Sequence, residues 1–144
     1  MHSREFLARL DETKIVAEIA QAEKSTSGEI RVFISQREVD DVVSRAQRRF
    51  EKLGMTRTEL RNGVLLYFAP RSRKFAVVGD LGIHEKCGPS FWEEVSVEVR
   101  AHLRTERFTE AVIHGVRKVA EVLARHFPRQ AGDRDELPNE IARD

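Results

Sequence analysis

RNGVLLYFAPRSRKFAVVGDLGIHEKCGPSFW, residues 61–92, is the stretch whose reading decides the fold. It holds two apolar runs, VLLYFA at 64–69 and FAVV at 75–78, and neither alternates between apolar and polar residues. Successive apolar residues are what a strand shows when helices bury both of its faces. Between the runs, Pro70-Arg71-Ser72-Arg73 suits a hairpin loop, so the two strands should be antiparallel neighbours.

Upstream, EIRVFISQ at 29–36 sets Ile30, Val32 and Ile34 against Glu29, Arg31 and Ser35, which predicts a third strand; Phe33 indicates that its other face is partly covered as well. Between this strand and the first central run, Val43, Ala46, Phe50 and Leu53 keep helical spacing. Asp40 and Asp41 stand at the start of that helix and Gly54 at its end. A strand, a helix and a strand in succession favour a parallel, right-handed crossover, and hence a mixed sheet. Residues 4–25 read as helical in one or two pieces, with Phe6, Leu7 and Leu10 in one patch and Ile15, Ile19 and Ala22 in another; Asp11 is the expected cap of the second. After Asp80 a glycine-punctuated loop should lead into a helix near Pro89, with Trp92, Val95, Val99, His102 and Leu103 on its apolar side. A last helix enters at Phe108, carries Val112, Gly115, Val119, Leu123 and Phe127 on one side, and stops at Pro128. The expected architecture is α/β, a small mixed β-sheet sandwiched between helices. It comprises one domain over residues 1–128 and a mobile acidic tail over residues 129–144.

Composition narrows the class without naming a function. With 144 residues, one domain with a real core fits and two do not. Twenty-five basic against 24 acidic residues leave no strong pull toward nucleic acid or an anionic membrane. Four cations on one helix, Arg45, Arg48, Arg49 and Lys52, are diluted by Asp40, Asp41 and Glu51 and read as a solvated face. A single cysteine, Cys87, excludes an internal disulfide framework. No secretory core and no membrane-spanning run occur in these residues, which points to a cytoplasmic protein.

With these residues in view, FEKLGMTRTELRNGVLLYFAPRSRKFAVVGDLGIHEKCGPSFW resembles the central signature of the TPM-domain family. STSGEIRVFI upstream and FTEAVIHGVRKVAEVLARHFP downstream extend the likeness over roughly residues 12–128. The family takes in thylakoid-lumen acid-phosphatase-like proteins, a photosystem II repair protein and a channel-modulating protein; this chain looks like its short, stand-alone bacterial type. The resemblance implies a Rossmann-like α/β sandwich. Acid phosphatase activity and calcium binding, each described for some relatives, enter as expectations.

Sharp catalytic motifs are missing. HEKCG at 84–88 has Gly88 where a zinc-protease helix would carry its second histidine; Cys87 is followed six residues on by Glu93 rather than a phosphate-holding arginine; GDLG at 79–82 is too short for a dinucleotide or phosphate loop. What remains is a set of polar residues in loops. Asp80, past the end of a central strand, is a candidate metal ligand or water-positioning group, or else a turn-forming residue. Glu29 and Glu23 would join it in an oxygen-ligand site for calcium or magnesium if their loop lies beside it, and are otherwise surface carboxylates. Arg61 and Asn62 are the candidate binding pair for a phosphate or carboxylate; otherwise Arg61 pairs with Glu59 or another acid, and Asn62-Gly63 turns the chain into its strand. His84 and Glu85 are candidate proton-transfer groups, or else His84 hydrogen-bonds its neighbours, and His102 and His126 read as hydrogen-bonded residues at the edge of the core.

Three functions follow. The first is a cation- or protein-binding module acting through loops 25–29, 61–63 and 80–85. The second is a metal-assisted acid phosphatase in which Asp80 and Glu29 hold the ion and Arg61 holds the phosphate of a small phosphorylated ligand. The third is a scaffold that recruits a protein partner through its acidic tail or basic helix.

Overall fold

The computed structural model of the chain describes residues 10–130 and 139–144. Among them, a four-stranded mixed sheet in the order β3-β2-β1-β4 lies between helices. Strand β1 (Glu29–Ile34) runs parallel to β2 (Gly63–Ala69), with Glu29 opposite Gly63 and Ile34 opposite Phe68. Strand β3 (Lys74–Gly79) returns antiparallel, with Val64 opposite Gly79 and Ala69 opposite Lys74. The hairpin and the crossover are those expected from the two apolar runs.

Alternation along the strands sorts the core into two layers. Ile30, Val32 and Ile34 of β1 and Val64, Leu66 and Phe68 of β2 point to one side. There they meet Ile15 and Ile19 of α1 (Glu12–Glu23), Val95 and Val99 of α4 (Ser90–Leu103), and Val112, Val119 and Leu123 of α5 (Phe108–His126). Phe33, Leu65, Tyr67 and Ala76 point to the other side, where α2 (Val42–Lys52) covers them with Ala46 and Phe50. The Phe33 and Tyr67 rings stack at 5.2 Å, and the Arg49 guanidinium lies 4.5 Å above Phe33. Arg49 is thereby a lid on this layer, which takes it out of the expected solvated cationic face. All seven residues of β2 are buried, because it is an inner strand with a helical layer on each side.

Three local features depart from the sequence reading. β3 is an edge strand, so Val77 and Val78 stay partly exposed where burial on both faces was expected. Residues after Asp80 form a short helix, α3 (Leu81–Cys87), instead of a loop: the Asp80 carboxylate caps it by accepting from Leu81 N, at 2.8 Å. Residues 129–144 were placed outside the domain, yet Ala142–Arg143 form β4, parallel to β1 opposite Phe33 and Ile34. Asp144 fixes this end by accepting from Ser35 Oγ at 2.6 Å and Gln36 N at 2.7 Å. The expected helical start over residues 4–9 lies outside the described residues; α1 begins at Glu12 behind the Asp11 cap, which accepts from Lys14 N at 3.0 Å. Among the described residues, no helix is long and apolar enough to cross a membrane.

Candidate functional site

Because β1 and β2 are parallel and β3 is antiparallel to them, the loops before β1, before β2 and after β3 all open at one end of the sheet. Loops 25–29, 61–63 and 80–85 therefore converge, and backbone hydrogen bonds tie them together. Glu29 N donates to Asn62 O at 3.2 Å, Asp80 N to Gly63 O at 3.0 Å, and Gly82 N to Arg61 O at 2.9 Å. This is the amino end of the two parallel strands, not the carboxyl end where open α/β sheets usually bind ligands.

Glu23, Glu29, Asn62 and Asp80 are buried at this end, as are Thr26 and Thr58. Glu23 Oε2 accepts from Ile30 N at 2.9 Å, so a carboxylate from the end of α1 satisfies the start of β1. Asn62 is held through its backbone N–H to Thr58 Oγ1 at 3.2 Å and through Nδ2 to Ser27 Oγ at 3.4 Å. Its Oδ1 is buried and meets no donor among the described residues. A buried amide oxygen left without a donor costs free energy, and such groups are uncommon in folded proteins.

Arg61 and Asp80 are brought together in the structural roles left open for them: Arg61 pairs with an acid, and Asp80 bonds to the backbone that follows it. Arg61 Nε and Nη2 donate to Asp80 Oδ2 and Oδ1 at 2.6 and 2.7 Å, a two-pronged pair, while Oδ1 also caps α3. Its hydrogen bonds to the Asp80 carboxylate hold the Arg61 guanidinium above its ordinary pKa range. Arg61 adopts a left-handed backbone with φ 52° to make this reach. That conformation strains any residue but glycine. Arg61→Gly and Arg61→Ala both remove the ion pair, and only alanine keeps the strain. Glycine is therefore expected to be the more stable variant in urea unfolding; the reverse order would show that φ at 61 relaxes without the pair.

Asp80, Glu29 and Glu23 do not converge as three metal ligands: among the described residues, the one group of three acidic, histidine or cysteine side chains with ligand atoms within 4.8 Å of one another is Glu98, His102 and His114. His84 is exposed on α3 and packs on an indole, with its ring 5.1 Å from that of Trp92. Cys87 is half-buried, and burial pushes its thiol up, away from the thiolate that nucleophilic chemistry needs. Arg71 pairs with Glu38 at 3.2 Å, and Lys74 Nζ donates to Asp40 O at 2.6 Å. Those two cations belong to the far end of the sheet, where Arg73, Lys74 and Arg104 border a cleft of about 280 Å³.

The sequence reading set His102 at the core edge and passed over Glu98 and His114. Glu98 and His102 show the i, i+4 spacing that puts two side chains on one helix face, a signal present in the sequence. That His114 meets them depends on how α4 packs on α5, which the spacing does not reveal.

Comparison with known proteins places the whole arrangement. The BA42 protein from the psychrophilic bacterium Bizionia argentinensis, solved by NMR, is 38% identical; the match covers 92% of each chain with a TM-score of 0.87. The N-terminal domain of a P. gingivalis protein shares the fold at 17% identity, with a TM-score of 0.63 over 79% of this chain and 76% of that one. The N-terminal domain of the cg2496 protein from Corynebacterium glutamicum does so at 18% identity, with a TM-score of 0.60 over 77% and 70%. Comparison with curated protein sequences finds no match. The family model of the TPM domain matches residues 1–122, which takes in most of the stretch of roughly 12–128 that carries the sequence resemblance. By that match and the similarity to BA42, the chain belongs to the TPM-domain family.

Proposed function

We propose that this TPM domain is a binding module for a hard divalent cation, calcium or magnesium, at the polar end of its sheet. One observation carries the reading. Loops far apart in sequence bring Glu23, Glu29 and Asn62 to the first residues of β1 and β2, all three buried, with Asn62 Oδ1 lacking a donor among the described residues. Carboxylate, amide and backbone oxygens are the donor set that calcium takes. In this reading Glu23, Glu29 and Asn62 supply oxygens. Asp80 is a positioning residue, whose bonds to Arg61 and to the start of α3 hold two of the loops in place.

The hydrolase alternative asks more of the same groups. Arg61 would have to hold a phosphate and Asp80 an ion, yet each meets the other with the atoms those tasks need. The scaffold alternative needs a free tail or a free cationic face. Ala142–Arg143 pair with β1, and Arg49 lies over Phe33.

Assay of the purified chain on a generic phosphomonoester, at acid and neutral pH with calcium, magnesium or manganese present, separates the first two readings. The binding module gives no turnover above a mock preparation. Metal-dependent turnover that Asp80→Asn abolishes would replace this proposal with the hydrolase.

A further inference from the structure

A second site, of different chemistry, lies on the helical face, where α4 and α5 pack side by side. Glu98 and His102 stand one turn apart on α4, and His114 faces them from α5. Their ligand atoms all lie within 4.8 Å of one another, and all three side chains are partly exposed. The two imidazoles are stacked, with ring centroids 4.2 Å apart and planes 25° from parallel. We propose that Glu98, His102 and His114 bind one transition-metal dication of the zinc class.

The donor set decides the metal. Two neutral imidazoles and one carboxylate suit zinc and its neighbours, whereas calcium and magnesium take oxygen ligands. Bonds of about 2.0–2.1 Å at tetrahedral angles put donor atoms roughly 3.3 Å apart. From 4.8 Å or less, closing to that distance asks for about 1.5 Å at most, within the reach of side-chain rotation at partly exposed positions. Three protein ligands leave a fourth position for water.

The fold holds the ligands near each other before any ion arrives. The His102 carbonyl accepts from Thr105 N at 3.3 Å, Thr105 Oγ1 at 3.1 Å and Arg107 N at 3.1 Å, which fixes the end of α4 where the chain turns into α5. Next to His114, Gly115 lets the helices approach closely: a Cβ there would stand 2.9 Å from Val99 Cγ2. Nothing in this site overlaps the proposed calcium or magnesium site at the sheet end.

The experiment is titration of the full chain with cobalt(II), followed by its visible absorption, and then displacement by zinc. Wild type should bind one equivalent, with zinc displacing cobalt and calcium failing to do so. His102→Ala and His114→Ala should each weaken cobalt binding at least tenfold, as should Glu98→Gln, while His126→Ala, elsewhere on α5, leaves it unchanged. Circular dichroism of each variant checks that the helices remain. No saturable cobalt binding by wild type overturns the proposal, as does folded His102→Ala or His114→Ala binding as tightly as wild type.

Discussion

Gly82→Ala is expected to destabilise the domain by about 2–3 kcal/mol, the upper part of the range for forcing an extra carbon into a packed site. A Cβ at residue 82 would stand 2.4 Å from Leu60 O and 2.7 Å from Arg61 O. Both neighbours are backbone, so no flexible side chain can yield. The first turn of α3 must therefore lift off the loop before β2, breaking the bond from Gly82 N to Arg61 O and pulling Asp80 away from Arg61. Helix propensity alone gives the opposite sign, since alanine is favoured over glycine inside a helix by about 1 kcal/mol. The sign of the change in urea-unfolding stability thus decides between close backbone packing and propensity. Gly88→Ala tests a different cost: nothing lies within 4 Å of the new carbon, but φ 71° with ψ −178° is a backbone region that essentially only glycine occupies, so strain alone, about 1–3 kcal/mol, is expected. Equal or greater stability of Gly82→Ala would show that α3 does not seat against residues 60–61 as described.

The second large effect concerns the cation. A ligand at about 100 times its dissociation constant stabilises the native state by roughly 2.7 kcal/mol. For a chain of this length that corresponds to a rise of roughly 5–10 °C in the unfolding midpoint. Calcium or magnesium should produce this rise in wild type. Glu29→Gln and Asn62→Ala should each reduce it to within a degree or so, since each removes a donor oxygen or its charge. His102→Ala should leave it intact, because its metal site lies on the helical face. A midpoint that calcium and magnesium leave unmoved in wild type would argue against a site at the sheet end.

Much of the fold was legible because its signals are local. The unbroken runs at 64–69 and 75–78 gave the two central strands, and Asp11 and Gly54 marked a helix start and a helix stop. Asp80 was legible as a residue of interest but not as a cap, because glycine at 82 hid the helix that follows; its small size serves packing and not a turn. On α2, Val43 was assigned to the buried side, whereas Val42 packs inward and Val43 is 54% exposed. Adjacent valines cannot be told apart by spacing near a helix end. Strand β4 was invisible: its two residues carry no alternation, and their place is set by β1 and by Asp144. The sheet end was foreseen as a set of loops, but their convergence depends on strand order. Arg61 and Asp80 lie 19 residues apart, and nothing local says that they pair.

The most direct measurement is an amide nitrogen–proton NMR titration of the full chain with calcium, and separately with magnesium. The account predicts saturable shifts concentrated at residues 27–30, 62–63 and 80–82, with the amides of 98–102 and 112–116 unmoved. Saturable shifts that avoid the first set, or none at millimolar ion, would contradict a cation site at the end of the sheet.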